Sequence, residues 1–353
     1  MPYYGVDIFS GAGGLSLGAE MAGITMRFAI EVNESAAKTY KRNHKHTEVL
    51  CQNIKEVDLR SHFSNEPPFI IMGGPPCQGF SLSNTRNRNM ENEKNFLFRE
   101  FVRMVKELHP KWFLFENVSG IVHMNHGAVV EMIADEFKSL GYSVKYSVLK
   151  ASDYGVPQNR ERFFLVGNSL GIDFDFPSPN DMKISVQEAI GDLPVLENGD
   201  NYKKLDYLMP ICEVSEYARS MRVKSNKSLQ NFVSRNNDLA IKRYSYIPQG
   251  GNWRDIPEEL MENYADKSRC HSGIYKRLRA DQPSVVISNY RKSMLIHPTQ
   301  NRGLSVREAA RIQSFPDHFV FEGPISHIQQ QIGNAVPPLL AKAVVKQILA
   351  LTK

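Results

Sequence analysis

One cysteine of the chain follows two prolines and precedes a polar segment, and these surroundings suit a reactive nucleophile. Cys77 follows Gly73, Gly74, Pro75 and Pro76, directly after a short apolar run. Glycine and proline together build a rigid exposed turn, which does not suit the common role of cysteine as a small buried side chain. A thiolate held there can attack an electrophilic carbon, so we expect Cys77 to be a nucleophile. The other cysteines lack such surroundings, and we expect them to be buried: Cys51, Cys212 and Cys270.

Acidic and basic groups adjoin two further apolar runs. Glu116 follows the run 112–115, and a carboxylic acid can donate a proton when desolvation raises its pKa. Arg160 and Arg162 precede the run 163–166. They lie two residues apart, so an extended chain would project both to one face, as a fork for a carbonyl or phosphate oxygen.

A glycine-rich turn and an acidic residue indicate a nucleotide-type ligand. Gly11, Gly13 and Gly14 follow the first apolar run, where a ligand can approach the backbone closely. Glu31 lies 20 residues after Gly11, the spacing at which an acid accepts from ribose hydroxyls in nucleotide-binding folds. The glycines do not match the dinucleotide pattern G-x-G-x-x-G, so a single adenosine ligand is favoured.

These residues lie between alternating strand-like and helix-like segments. That alternation predicts an α/β fold, a mostly parallel sheet with helices on both faces. The glycine-rich turn and the Cys77 and Glu116 segments would then meet at the carboxyl edge of the sheet. The predicted strands are 5–10, 26–30, 69–72, 112–115, 142–149 and 163–166, and the predicted helices are 15–21, 35–43, 95–108 and 128–140.

The second half of the chain is organised differently. From about 180 to 300 the sequence is irregular and polar, which predicts a smaller, loop-rich domain. Helical signal returns at 305–314, where Ser305 and Glu308 fit a capping box, and at 337–351, which enters through prolines. We therefore expect a catalytic cofactor-binding domain at 1–178, a second domain at 179–303, and a return to the first domain at 304–353.

Composition limits the class of protein. The chain has 353 residues, 42% of them hydrophobic and 23% charged, as in globular proteins. No apolar run reaches the roughly 18 residues of a membrane span, and no signal peptide is readable. Four scattered cysteines without CxxC spacing exclude a disulfide scaffold and a four-cysteine zinc site. We expect a cytoplasmic protein without a bound metal.

Positive charge is concentrated in two stretches. Residues 219–254 and 267–302 each hold eight Lys or Arg against one acid, whereas the whole chain carries only +5. A basic region on an otherwise acidic body favours a polyanion partner. A solvated loop region with a chance excess of lysine would give the same pattern.

Five blocks in order along the chain resemble the DNA (cytosine-5) methyltransferase family: DIFSGAGG, PPCQGFS, FENV, QNRERFFLVG and QIGNAVPP. The resemblance is close over about 1–175 and 300–353. It implies a Rossmann-like S-adenosylmethionine-dependent catalytic domain and a loop-rich target-recognition domain. Asn53 stands where the family usually has Asp against the adenine, which predicts weaker cofactor binding at most. The resemblance implies cofactor contacts from Phe9, Gly11, Gly13, Gly14, Leu15, Glu31, Val32, Asn53, Ile54, Pro75 and Asn334.

The resemblance also implies a reaction on a cytosine flipped out of duplex DNA. Cys77 would attack carbon 6 while Glu116 stabilises charge at N3, and Arg162 would hold the O2 atom. Arg160 would support the site, and Asn334 would help to place the catalytic loop. The loop 78–98, which includes Arg88, would close on the DNA. The candidate DNA contacts are Gln78, Ser81, Arg86, Arg277, Arg279 and Arg291.

The sequence also leaves two alternative functions open. The same fold serves tRNA cytosine-5 methyltransferases, but their Cys-Phe-Thr tripeptide is absent here. A catalytically idle DNA-binding accessory protein is another class, although Cys77 and Glu116 are both present. We expect a prokaryotic or phage enzyme of the restriction-modification type that acts as a monomer on duplex DNA, with a possible cognate restriction endonuclease that is not stably bound.

Overall fold

A seven-stranded sheet organises the N-terminal half of the protein. In the computed structural model, residues 3–76, 97–262, 272–288, 290 and 293–352 are described. They form two compact units, of which the first contains the sheet. The first unit comprises Met1–Tyr154, Glu161–Pro179 and Val336–Lys353, and the second comprises Gly155–Arg160 and Asn180–Ala335.

The sheet has the strand order β3-β2-β1-β4-β5-β7-β6. Strands β1 to β5 pair in parallel, whereas β7 runs antiparallel to both of its neighbours. The predicted class, a mixed and mostly parallel α/β sheet, is confirmed. The strands are β1 (Tyr3–Ile8), β2 (Ile24–Ile30), β3 (Glu48–Leu50), β4 (Ile70–Gly73), β5 (Trp112–Val118), β6 (Ser143–Lys150) and β7 (Glu161–Asn168).

The direction of β7 has a consequence for the site. In parallel strands the carboxyl ends meet at one edge, and a neighbouring antiparallel strand begins there. Arg162, near the start of β7, is paired with Val118 at the end of β5. The chain therefore brings a basic side chain to the edge where β1, β4 and β5 end.

Four helices of the first unit pack against this sheet or one another. In α3 the buried residues recur at helical spacing, and Phe101 packs edge-on against Phe113 and Phe115 of the sheet. Aliphatic and aromatic residues of the strands and helices form one core cluster. The helices are α1 (Gly14–Ala22), α2 (Glu34–Asn43), α3 (Leu97–Leu108) and α4 (Ala128–Ser139).

The second unit contains a two-stranded antiparallel sheet and short helices. The predicted capping box at Ser305 and Glu308 is confirmed at the start of α8. Arg311 of α8 is buried and bonds the carboxylates of Asp192 and Asp317, each at 2.7 Å. The elements are α5 (Val186–Ile190), β8 (Asn201–Leu205), α6 (Glu216–Met221), β9 (Ser228–Phe232), α7 (Asp238–Ser245), α8 (Val306–Ile312) and α9 (Ile325–Asn334).

The first unit is completed by α10 (Pro338–Leu351), which begins with a proline as predicted. This helix packs on α1, where Gly18 faces Pro338 and Ala341. Its buried positions include Leu340, Val344 and Ile348, so an apolar stripe faces the interior.

The boundary of the second unit differs from the sequence-based one at its C-terminal side. The expected return to the first domain is at 304, whereas the compact units change between Ala335 and Val336. The reason is that α8 packs on α5, β9 and α9, which are all elements of the second unit. The roles expected for the two domains stay predictions.

No helix within the described ranges is long and apolar enough to cross a membrane. The same part of the chain holds no cluster of three His, Cys, Asp or Glu side chains that could bind a metal ion. Cys51 and Cys212 are exposed free thiols, so the expectation that they are buried is wrong.

Candidate active site

A buried ion pair lies at the carboxyl edge of the sheet. Arg162 Nε is 2.8 Å from Glu116 Oε1, and the two side chains are only 10% and 11% exposed. The register explains the contact, because Glu116 lies diagonally across from Arg162 on adjacent strands. The predicted acid and base of this edge are therefore brought together.

Burial shifts the pKa of both Glu116 and Arg162. Desolvation raises the pKa of Glu116, and the positive charge of Arg162 opposes that shift. Desolvation also lowers the pKa of Arg162, while the Glu116 carboxylate opposes it. A glutamic acid with a raised pKa keeps its proton to higher pH than a free one and can donate it.

The turn before Cys77 approaches this carboxyl closely. A Cβ atom on Gly74 would lie 2.5 Å from Glu116 Oε2, and Arg162 holds that carboxyl in place. Only glycine therefore allows the turn to pass at this distance. Asn117 Nδ2 donates to the carbonyl oxygen of Pro75 at 2.9 Å and fixes the next residue of the turn. Cys77 itself lies outside the described residues.

A second carboxylate lies where β1 and β2 end. The backbone N–H of Gly11 donates to Glu31 Oε2 at 2.8 Å, and that of Asn33 donates to Oε1 at 2.7 Å. Burial raises the pKa of Glu31, although these N–H donors lower it. Each carboxylate oxygen keeps a lone pair, so the group can accept from further donors such as ribose hydroxyls.

The surroundings of Glu31 fit an adenosine group. Ser10 Oγ is buried and has no hydrogen-bond partner among the described residues, so a polar group is available there. A Cβ atom on Gly11 would meet nothing within 4 Å, so space is open beside the turn. Val32 is 71% exposed and offers an apolar surface to a flat ring.

The segment expected to flank the adenine is held from α3. Ile54 is buried in the core, and Arg103 Nη2 donates to its carbonyl oxygen at 2.8 Å. Asn53 is exposed, and its Oδ1 accepts from the backbone N–H of Lys55 at 3.2 Å. The other expected cofactor residues of this unit lie near the same edge: Phe9 packs on the core, and Gly13, Gly14, Leu15 and Pro75 are buried.

Arg160 and Arg162 do not form the predicted fork. Arg160 is buried in the second unit, where it donates to the carbonyl oxygens of Ile287 at 2.7 Å and Gly333 at 2.6 Å. Its guanidinium thus joins segments of that unit, whereas Arg162 pairs with Glu116 in the first. The reason is that β7 begins only at Glu161, so the two arginines do not share one strand.

Of the remaining predicted site residues, some lie in the part of the chain that the structure describes and others lie outside it. Asn334 is exposed at the end of α9, where its Oδ1 accepts from Gln330 Nε2 at 3.0 Å. Arg279 is exposed and pairs with Asp281 at 2.8 Å. Four expected DNA contacts and one further loop residue lie outside the described residues: Gln78, Ser81, Arg86, Arg88 and Arg291.

Arg277 has a structural role that its sequence position did not reveal. Its side chain is buried, and all five N–H groups donate within the second unit, which leaves none for a base or phosphate. The expectation that Arg277 reads DNA is therefore corrected. Its acceptors are the carbonyl oxygens of Tyr244, Ile247, His297 and Gln300 and the side-chain oxygen of Asn301.

Two residues that support the site were missed by sequence reasoning. Asn117 adjoins Glu116, but its bond to Pro75 links segments 42 residues apart in the chain. Arg103 reaches Ile54 across 49 residues. For Asn117 the signal was its position beside Glu116 at the end of a strand; for Arg103 no signal was visible among the charges of a helix.

Comparisons with known proteins agree with this arrangement. A family model described as C-5 cytosine-specific DNA methylase matches residues 3–350. The chain is 37% identical to the Type II methyltransferase M1.HphI of Haemophilus parahaemolyticus, over 98% of this chain and 86% of that protein. It is also 37% identical to the Type II methyltransferase M.DdeI of Desulfomicrobium norvegicum, over 97% and 88% respectively.

A solved structure shares the fold over almost its full length. It is described as a DNA modification methyltransferase encoded within a prophage (E. coli), and it superposes with a TM-score of 0.79 at 26% identity. The alignment covers 99% of both chains. With a family model spanning the sheet, the ion pair and α10, the chain belongs to the C-5 cytosine-specific DNA methylases and is a DNA (cytosine-5) methyltransferase.

Proposed function

We propose that the protein methylates carbon 5 of a flipped cytosine in duplex DNA, with S-adenosylmethionine as methyl donor and a covalent bond from Cys77 to carbon 6. The observation that carries this proposal is the buried Glu116–Arg162 pair beside the turn that leads to Cys77. Its relatives named Type II methyltransferases support a role in a type II restriction-modification system.

The reaction needs an activated ring carbon. Carbon 5 of cytosine is a poor nucleophile while the ring is aromatic. In the proposed mechanism the Cys77 thiolate bonds to carbon 6, and Glu116 gives a proton or a hydrogen bond to N3 as charge develops there. The raised pKa of Glu116 suits that task, because the acid form persists to higher pH. Carbon 5 then becomes nucleophilic.

Arg162 has two tasks in this scheme. Its Nε holds the Glu116 carboxyl, and its remaining N–H groups can bond the O2 atom of cytosine. Once carbon 5 carries the methyl group, its proton leaves, the bond from Cys77 to carbon 6 breaks, and aromaticity returns. Asn117 and Gly74 keep the turn before Cys77 against the acid.

S-adenosylmethionine, when bound, supplies an electrophilic methyl group to carbon 5. Glu31 would accept from the ribose hydroxyls, because both of its oxygens are oriented by backbone N–H groups. Val32 and Ile54 would contact the adenine, and Asn53 would face its polar edge. The Asn53 side-chain oxygen accepts one bond, from the backbone N–H of Lys55, and keeps a second lone pair with which it can accept from the adenine amino group.

The second unit would recognise the DNA. Exposed cations such as Arg279 would contact phosphates or base edges, and extrusion of the cytosine costs a few kcal/mol. We propose that the enzyme acts as a monomer, and that a restriction endonuclease of the same specificity acts separately. Arg160 would support the site by fixing Ile287 and Gly333, and Asn334 would contact the cofactor or the catalytic loop.

The test is methyl transfer from labelled S-adenosylmethionine to duplex DNA and to tRNA in parallel, with base-resolution mapping of the product. Cys77→Ala is the decisive variant, and Cys212→Ala is its control because Cys212 is an exposed free thiol of the second unit. We expect label at carbon 5 of one cytosine within a short DNA motif, complete loss in Cys77→Ala, and normal transfer in Cys212→Ala.

Other outcomes select other functions. Label on tRNA alone would make the protein a tRNA cytosine-5 methyltransferase. No label on either substrate, despite tight DNA binding, would identify an idle accessory protein. Transfer by Cys77→Ala at the wild-type rate would refute the covalent mechanism.

A further inference from the structure

A cluster of buried polar groups lies behind the glycine-rich turn of the first unit. It consists of Asp7 on β1, Ser16 and Glu20 on α1, and Tyr40 and His44 at α2, and we call it the polar cluster. Tyr40 Oη donates to Ser16 Oγ at 2.7 Å, and Ser16 Oγ donates to Asp7 Oδ2 at 2.5 Å. His44 Nδ1 is 2.9 Å from Glu20 Oε2. Two chains of contacts thus tie α2 to α1 and to β1.

The cluster touches the turn through His44. Its ring is buried and lies tilted against the ring of Tyr40, with 4.1 Å between ring centroids. Gly13 lies against this ring, since a Cβ atom there would be 2.4 Å from His44 Nε2 and 2.9 Å from Tyr40. The backbone of Gly13 has a φ of 92°, which favours glycine. The shape of the turn therefore depends on where the two rings lie.

Such a cluster is costly to place in a core. Asp7, Ser16 and Tyr40 are fully buried, and burial raises the pKa of Asp7 to about 7. Asp7 Oδ1 has no hydrogen-bond partner among the described residues. Apolar side chains of similar volume would stabilise the fold at least as well, because buried polar groups lose hydration. None of the five residues belongs to the reaction proposed above.

We propose that the polar cluster positions the segment 10–14 for the cofactor and thereby sets the affinity for adenosine-containing ligands. This inference rests on the proposed function, because it concerns the same cofactor site. The five side chains are positioning residues, since they act through Gly13 and the turn rather than on the ligand.

The contacts supply a route from the cluster to the ligand. The Tyr40 hydroxyl, bonded by Ser16, fixes the ring that supports His44. His44 in turn fixes Gly13, whose backbone N–H donates to the carbonyl oxygen of Ser10 at 3.0 Å. Gly11, which follows Ser10 in the chain, donates its backbone N–H to the Glu31 carboxylate. A displaced ring would shift this turn and move the Glu31 carboxylate from its place.

Removal of one hydroxyl tests the inference. Tyr40→Phe keeps the ring and deletes the bonds of the hydroxyl to Ser16 and Thr47. Tyr142→Phe is the matched control, because Tyr142 is also a buried tyrosine of the first unit whose hydroxyl donates one bond, at 2.7 Å to Pro110. The ligand is S-adenosylhomocysteine, and calorimetry measures its Kd with the full-length protein.

We expect Tyr40→Phe to weaken S-adenosylhomocysteine binding about tenfold, the equivalent of one hydrogen bond, while Tyr142→Phe binds like the wild type. The KM for S-adenosylmethionine should rise in parallel, with kcat at saturating cofactor and the DNA affinity unchanged. A general loss of stability would not produce this split, because both variants lose the hydrogen bonding of a buried tyrosine hydroxyl.

Ser16→Ala supplies a second measurement if Tyr40→Phe fails to fold. It should weaken binding similarly, and the double variant should be no weaker than the single ones, because both substitutions break one chain of contacts. Equal Kd values for Tyr40→Phe, Ser16→Ala and Tyr142→Phe would overturn the inference and leave the proposed function intact. A wild-type protein that does not bind S-adenosylhomocysteine would refute the proposed function instead.

Discussion

The two units of this protein use charged side chains in opposite ways. At the carboxyl edge of the first unit's sheet, Glu31 and Glu116 are partly or largely buried with few partners, and burial raises the pKa of each. In the second unit, arginines are buried with their N–H groups donated to carbonyl oxygens and carboxylates. These arginines are Arg160, Arg222, Arg243, Arg277, Arg302, Arg307 and Arg311.

The difference teaches how to interpret charge in a sequence. The stretch 219–254 holds eight basic residues, yet Arg222 and Arg243 are buried, and the stretch 267–302 includes the buried Arg277 and Arg302. A buried guanidinium that bonds main-chain oxygens stabilises loops and adds no contact for DNA. The basic character of the second unit is therefore partly a packing feature, and its exposed cations are fewer than the sequence indicates.

The largest effect should come from the first unit's buried acid. Glu116→Gln keeps the size of the side chain and removes the proton donor, so we expect kcat to fall about 10²- to 10⁴-fold. Because burial raises the pKa of Glu116, wild-type methyl transfer should fall as the pH rises through that raised value. That alkaline limb should be absent from the pH profile of the variant. A variant with wild-type kcat would remove Glu116 from the mechanism.

Loss of Arg277 should destabilise the second unit. Arg277→Ala leaves five acceptors without their donor, three of them on buried residues, and we expect the free energy of unfolding to fall by about 3 kcal/mol or more. Arg279→Ala is the control: its side chain is exposed, and its removal should change stability by no more than about 0.5 kcal/mol. Denaturant unfolding followed by circular dichroism measures both. Equal stability of the two variants would contradict the structural role of Arg277.

A smaller effect is expected at the cofactor carboxylate. Glu31→Gln leaves one oxygen to accept and removes the charge, so S-adenosylhomocysteine binding should weaken about 10- to 100-fold. Glu34→Gln serves as the control, because Glu34 is exposed and pairs only with Lys38 among the described side chains at 2.6 Å. Calorimetry measures both Kd values. An unchanged Kd for Glu31→Gln would refute the proposal that Glu31 binds the ribose.

The smallest expected effect distinguishes a surface cation that contacts DNA from one that does not. Arg279→Ala should lower the salt slope of DNA binding by about 1 if the guanidinium contacts a phosphate. Lys145→Ala is matched to it, since Lys145 is an exposed cation of β6 that pairs with Asp175 at 2.5 Å. Binding measured from low to high salt should show no change in slope for Lys145→Ala. Identical slopes for both variants would count against Arg279 as a DNA contact.

Much of the first unit could be predicted because each element carries a local signal. Apolar runs end next to the residues of the candidate site, and the predicted strand 112–115 and helix 128–140 correspond to β5 and α4. The three-residue β3 was missed, because so short a strand has no periodicity. Helix α9 was missed as well, since its glutamines obscure the apolar stripe.

Only the site residues that adjoin the ends of predicted strands could be predicted from the sequence. Glu116 and Arg162 were both named, but their contact depends on the antiparallel direction of β7, which alternation of elements does not reveal. The partners of Arg160 and Arg277 lie up to 173 residues away in the chain, so no local pattern marks those arginines as buried. The exposure of Cys51 and Cys212 was equally invisible, because burial depends on tertiary packing.

The packing of α10 on α1 also bears on how the enzyme is made. Helix α1 is synthesised before the second unit, yet its partner helix follows some 300 residues later, after the whole second unit. A nascent chain must therefore hold the apolar face of α1 uncovered until α10 emerges. The cofactor-binding unit therefore cannot complete its packing before the chain beyond the second unit has been translated, so the order of the elements along the chain delays the maturation of the cofactor site.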